Sequence, residues 1–215
     1  MRKTVLLWIS DSPLVPTGFG RVTFEILTRL AAKENMDIHA LAVGAGTFAY
    51  SPSTIPFRIL PCPSPDPPPE TLREAIDTIH PDVVVTLSDI WRVNYMLEVK
   101  EEWKGAWIGY FPIDAGPLPQ CFKPILERMD CRVTTSEFSA AVFRQAFPRL
   151  DIHVAKHGVD ADRFHPGRPT RGRLKLPDGR QAFVIGCVAR NQPRLIFLIS
   201  LRAPSRISRR METAI

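Results

Sequence analysis

Two rhythms of apolar and polar positions alternate along the start of the chain. "TVLLWIS" (residues 4–10) is an unbroken apolar run, the pattern of a parallel strand buried on both faces, and "MDIHALAV" (36–43) repeats it. Between them the Pro/Gly loop "DSPLVPTGFG" leads into "FGRVTFEILTRLAAKEN", where Val22, Ile26, Leu27 and Leu30 recur at helical spacing as one stripe. "FRIL" (57–60) predicts a third strand. "PPETLREAIDTIHPD" predicts a helix opened by proline and closed at His80-Pro81, and "DVVVTLS" predicts the strand it feeds. "IWRVNYMLEVKEEW" (90–103) reads as a helix, "GAWIGYFP" and "RVTTS" as strands, "EFSAAVFRQAFP" as a helix and "DIHVAKHG" as a short final strand. Such alternation predicts an α/β fold with a Rossmann-like, doubly wound parallel sheet.

This rhythm spans residues 1–167, read as one domain. A basic linker, "RPTRGRLKLPDGRQ" (168–181), follows. "AFVIGCVAR" then reads as the first strand of a second domain, so that 182–215 is a fragment of it with an aberrant tail. A length of 215 residues permits one large domain or one domain plus such a fragment. The prolines cluster between Ser51 and Pro81 and between Pro112 and Pro124, which predicts long, rigid surface connections there.

Charge changes the picture little. The net charge is +6, but from Leu195 onward four arginines and one glutamate supply +3 of it. The body has no dense Lys/Arg run and no aromatic interleaving, which argues against nucleic acid as a partner. Cys62, Cys121, Cys131 and Cys187 show no CxxC spacing and read as free thiols of a reducing, cytoplasmic protein. The apolar stretch in "MRKTVLLWISDSP" is short and Asp11 ends it without a cleavage signal, so it reads as a strand rather than a signal peptide. No segment approaches the roughly 20 apolar residues of a membrane span.

Candidate chemistry lies in the loops. Gly18, Phe19 and Gly20 sit where the first strand's loop enters a helix, and there free backbone amides and the helix dipole favour a phosphate or a sugar oxygen. Thr23 occupies the third fingerprint position and no acidic residue ends the second strand, which speaks against a nicotinamide dinucleotide. Glycines serving only a tight turn are the plain alternative. In "YFPIDAGPLP", Asp114 follows a buried strand in a loop stiffened by Pro112, Pro117 and Pro119. Its carboxylate can accept hydrogen bonds from a substrate hydroxyl, or serve as a turn or cap. His153 and His157 have a helical metal-clamp spacing, but Ile152 and Val154 place them on a strand, where they do not converge, and no metal is expected. Asp160 and Asp162 read as a cap. Arg190, after a buried strand, can neutralise a diphosphate, with Arg194 as a second candidate; solvated arginines are the alternative.

Several of these stretches together resemble the retaining GT-B glycosyltransferases of the large family-four type. "HGVDADRFHP" (157–166) is similar to the family's Asn-Gly-Val-Asp motif with its following Phe and Pro, His157 standing where Asn is usual. "FVIGCVARNQPR" resembles the strand and Arg loop of the family's donor domain, and "TTSEFSAAVFRQAF" the strand and helix before the motif. The Gly18/Gly20 loop stands where the family has its glycine-bearing acceptor-side loop. The resemblance covers residues 4–194. It implies that residues 1–167 form the N-terminal half of a GT-B fold. In such enzymes that half holds a sugar, lipid or protein acceptor, and a second domain grips a nucleotide-sugar donor. Transfer proceeds with retention at the anomeric carbon, with no cofactor and typically no metal. Peripheral membrane contact is compatible with such a role. By position, Asp114 is implied as catalytic, Gly18, Phe19 and Gly20 as acceptor-side, and Arg190 and Arg194 as contacts to the diphosphate.

Two positions depart from the family. Ile113 stands where a histidine precedes the aspartate, and Leu195 stands where the diphosphate lysine is expected. The apolar run from Leu195 and its basic Ser/Arg tail match no later family element, so a frameshift that truncates a longer glycosyltransferase is expected, leaving the chain weak or inactive alone. The competing class is a non-catalytic Rossmann-like module that docks a partner half. Sequencing of the locus is expected to reveal the rest of a nucleotide-sugar domain downstream of codon 194 in a shifted frame. DNA encoding no such domain in any frame refutes the frameshift.

Overall fold

The computed structural model describes residues 2–44 and 54–167. The chain divides into two compact units, Met1–Val159 and Asp160–Ile215. The expected linker 168–181 and the segment 182–215 lie outside the described residues.

The first unit carries a seven-stranded, all-parallel sheet of order β3-β2-β1-β4-β5-β6-β7. Its strands are β1 (Thr4–Asp11), β2 (Met36–Val43), β3 (Arg58–Cys62), β4 (Val83–Leu87), β5 (Ala106–Phe111), β6 (Cys131–Thr134) and β7 (His153–Val154). The helices are α1 (Gly18–Ala31), α2 (Pro69–Ile79), α3 (Tyr95–Glu102), α4 (Lys123–Arg128) and α5 (Glu137–Ala146). The doubly wound α/β reading is therefore correct. From β1 the chain adds β2 and β3 on one side, then returns to add β4 to β7 on the other.

Because parallel crossovers are right-handed, reversing the direction of strand addition moves the connections to the opposite face. The core divides accordingly. Leu7 and Ile9 of β1, Leu41 of β2, Val84 of β4 and Trp107 of β5 pack with Leu72 and Ile76 of α2, Met96 of α3, Leu126 of α4 and Phe143 of α5. The alternate residues Leu6, Trp8, Ile38, Ala40, Val85, Leu87 and Tyr110 pack with Leu27 of α1 and with Ile55 and Phe57 on the approach to β3. The period of two along each strand places one set on each face.

Several elements differ from expectation. The helix read over 90–103 is split into a one-turn 3-10 helix, Ile90–Arg92, and α3, because Val93 leaves helical geometry at φ −103°, ψ 18°. Ile90, Val93 and Met96 are all buried, and residues three apart eclipse one another in 3-10 geometry. The proline-rich stretch 112–124 is not all loop: Pro124 opens α4, and Ile125 and Leu126 are buried against the core. β3 runs two residues past 60. Its Pro61 is tolerated because the strand lies at the sheet edge. On α1, Leu27 is buried while Val22, Ile26 and Leu30 are only half-buried; Gly20 and Thr23 complete the buried face.

Asp130 ties several elements together. Its carboxylate accepts the Trp107 amide at 2.8 Å and pairs with Lys100 Nζ at 2.8 Å, while Lys100 also donates to the Gly105 carbonyl at 2.7 Å. Burial alone raises the Asp130 pKa, but the Lys100 and Trp107 hydrogen bonds outweigh it and hold the carboxyl below its usual value. A depressed carboxylate stabilises the fold above the unfolded-state pKa of about 4, and the effect is lost as pH falls through the folded-state value. Asp130→Asn is expected to lower Tm at pH 7, with the deficit shrinking toward pH 3. A deficit independent of pH in thermal melts refutes this account.

Candidate functional site

In open α/β sheets the ligand crevice lies beyond the carboxyl ends of the strands, where strand order reverses. Here that point is between β1 and β4. Ser10, near the end of β1, donates its hydroxyl to the Leu87 carbonyl that ends β4, at 2.7 Å. This bond holds the two strands together at the place where their connections part to opposite faces.

Beyond β1 the chain folds into a compact turn. The Ser12 hydroxyl accepts the Leu14 amide at 3.2 Å, and the Ser12 carbonyl accepts the Val15 amide at 3.2 Å. Thr17 caps α1: its hydroxyl accepts the Gly20 amide at 3.0 Å and donates to the Asp11 carboxylate at 2.6 Å. Asp11 thus orients the cap, and an anionic group near a helix N-terminus is electrostatically favourable. The amides of Gly18 and Phe19 find no acceptor among the described residues, as expected for the first turn of a helix.

The candidate glycines separate in role. A Cβ on Gly20 would lie 2.5 Å from the Ser12 carbonyl oxygen and 2.7 Å from that of Val15, so side-chain absence there serves backbone packing. A Cβ on Gly18 would meet nothing within 4 Å. Phe19 is half-buried and its ring packs against the α1-side core.

Asp114 leaves the carboxyl end of β5 and is exposed. The loop that presents it is held by Ser139 in α5, whose hydroxyl donates to the Ile113 carbonyl at 2.6 Å and accepts the Ile113 amide at 3.4 Å. Ile113 itself is buried in the core and anchors the loop by apolar packing. Thr134 at the end of β6 donates to the Phe111 carbonyl at 2.8 Å. Ser136 caps α5 by accepting the Ser139 amide at 3.1 Å.

Beyond β7 the Ala155 carbonyl accepts the Tyr110 hydroxyl at 2.7 Å, and His157 meets the Tyr110 ring edge-on, centroids 5.6 Å apart at 81°. Desolvation in this contact lowers the His157 pKa below the ordinary histidine value, and burial raises that of Tyr110. In the second unit, Asp160 Oδ1 accepts the amides of Asp162 and Arg163 at 3.1 and 3.2 Å, the capping role expected of the "DAD" stretch. Among the described residues no cluster of three His, Cys, Asp or Glu side chains is placed to hold a metal ion. No helix among them is long and apolar enough to cross a membrane. Cys62, Cys121 and Cys131 are free thiols. Arg190 and Arg194 lie outside the described residues.

The structure therefore brings Gly18, Phe19, Gly20 and Asp114 to one edge of the sheet, with β4 between the two groups. Sequence reasoning passed over the hydroxyls of Ser10, Thr134 and Ser139. Their signal was a small hydroxyl residue at the end of an apolar strand or in the first turn of a helix, but the partners are carbonyls on other elements. A groove of about 330 Å³ between α2 and α3, lined by Arg73, Asp77, His80, Glu102, Trp103 and Lys104, opens at the opposite, amino edge. Its Arg73 is already paired with Glu102 at 3.0 Å. No protein-family model matches the chain, and no curated protein matches it.

Gly20→Ala is expected to cost about 1–3 kcal/mol, since it forces backbone apart, while Gly18→Ala stays within about 0.5 kcal/mol. Denaturant unfolding of both variants checks this. Equal destabilisation would show that the turn does not pack as described.

Proposed function

We propose that this chain supplies the acceptor side of a retaining glycosyl transfer from a nucleotide-sugar donor, as the N-terminal half of a GT-B fold. The observation that carries the reading is the "HGVDADRFHP" stretch, which begins just past β7 at the same sheet edge as the Gly18–Gly20 turn and Asp114. A Rossmann-like sheet with its reversal between β1 and β4 supports it, because that geometry opens a ligand crevice at this edge.

In this reading Asp114 accepts a hydrogen bond from the acceptor hydroxyl and orients it, from a loop that Ser139 holds still. The first amides of α1 offer donors to an acceptor oxygen. Arg190 and Arg194 neutralise the donor diphosphate, where negative charge grows as the bond to the sugar breaks. The acceptor oxygen forms its bond to the anomeric carbon on the face from which the diphosphate leaves, and the hydroxyl proton passes to the departing phosphate oxygen.

The test is release of nucleoside diphosphate from a panel of UDP-, GDP-, ADP- and dTDP-sugars, with the chain alone and with a nucleotide-sugar-binding partner domain. Product anomers are assigned by NMR. Transfer with retained configuration is expected in at least one arm, and Asp114→Asn is expected to lower kcat/KM by roughly 10- to 100-fold, the loss of a hydrogen bond to a charged group. Inverted product, or no transfer in either arm, refutes the reading.

A further inference from the structure

Among the described residues of the first unit, the exposed large apolar side chains are Leu14, Trp91, Phe138 and Val159. Each follows the carboxyl end of a strand: β1, β4, β6 and β7 respectively. The amino edge has none of them. Among the described residues of this unit, the exposed large apolar side chains thus gather at the edge where the fold opens its crevice.

Trp91 stands out because its backbone is rigid while its ring is 58% exposed. Ile90, which begins the 3-10 turn, and Val93, which follows it, are buried in the core. The Arg92 amide donates to the Asp89 carbonyl at 3.0 Å, and the Asn94 side chain donates to the Trp91 carbonyl at 3.3 Å. The Arg92 guanidinium is engaged by the Asp66 carboxylate at 3.1 Å and by the Pro65 carbonyl. The pairing of Leu87 with Tyr110 places Trp91 and Asp114 each four residues beyond that last pair, at the exits of neighbouring strands.

We infer that Trp91 is a stacking platform for a saccharide ring at the β1/β4 reversal, with the Asp114 carboxylate at the next strand exit accepting a sugar hydroxyl. The C–H face of a pyranose carries partial positive charge and is attracted to the negative π face of an indole. Its hydroxyl rim needs hydrogen-bond partners, which a carboxylate provides. A ring with a carboxylate at the next strand exit suits such an amphipathic ligand. An anionic lipid surface would need basic residues near the ring. Here the adjacent cation, Arg92, is already paired, and Asp114 adds negative charge at the exit of β5. The inference rests on the acceptor-side reading and narrows the acceptor to a saccharide.

The test reads tryptophan fluorescence of the full chain. Trp8 and Trp107 are buried, at 4% and 0% exposure, and Trp103 is half-buried in the α2–α3 groove, so the Trp91 signal is read as the difference between the wild-type chain and Trp91→Phe. The probes are methyl α-mannoside, methyl β-galactoside, maltose and chitobiose at millimolar concentration, and, in a separate arm, phosphatidylglycerol vesicles. At least one saccharide is expected to shield Trp91 from iodide and shift emission to the blue. By calorimetry, Trp91→Phe keeps that saccharide's affinity within about threefold, and Trp91→Ala weakens it by about tenfold or more, the scale of one aromatic stacking contact. Circular dichroism checks that both variants fold. No shielding by any probe saccharide, saccharide binding that survives Trp91→Ala, or shielding by vesicles alone overturns the platform. Shielding without any glycosyl transfer would remove the transferase reading and leave the platform standing. Transfer without shielding would do the reverse.

Discussion

A parallel sheet buried on both faces needs covering elements on each, and right-handed crossovers decide which connection covers which face. The rest of this molecule follows from that constraint. The connections that build β2 and β3 share the α1 face, and α2 to α5 share the other. The reversal falls between β1 and β4, where neighbouring strands send their chains to opposite sides. A gap opens there because no connection can cross it.

Where the ladder ends, hydroxyl side chains take over the hydrogen bonding. Ser10 bridges to Leu87, Thr134 to Phe111 and Ser139 to Ile113, each filling a carbonyl that the diverging chains would leave bare. A buried carbonyl without a donor is costly, by about 1–3 kcal/mol, so these contacts keep the crevice edge ordered. The two buried indoles obey the same rule. Trp8 donates to Thr23 at 3.1 Å and Trp107 to Thr86 at 3.0 Å, which joins β1 to α1 and β5 to β4.

The edge so formed is rigid beneath and chemically mixed above. It displays the first amides of α1, the Asp114 carboxylate on its Ser139-held loop, and the Trp91 ring on a turn anchored by Ile90 and Val93. Rigidity of this kind limits the entropy lost when a ligand is ordered. The amino edge, by contrast, spends its charged groups on one another, as in the Arg73 pairs with Glu98 and Glu102.

The sequence by itself determined the strands, most helices and the class of fold. Short, continuous, β-branched apolar runs such as "TVLLWIS" and "DVVVTLS", bounded by turn residues, suit a covered parallel sheet, so local pattern sufficed. It also brought Gly18, Gly20 and Asp114 to strand exits, since loop residues after buried strands fall on one edge by construction. Tertiary structure decided the rest. The break at Val93 and the burial of α4 depend on which side of each segment meets the core. That Gly20 serves packing while Gly18 faces open space depends on where the Ser12 and Val15 carbonyls return. The exposure of Trp91 beside the burial of Trp107 was invisible in the chain, because each indole adjoins an isoleucine and only the folded sheet distinguishes a core position from an edge.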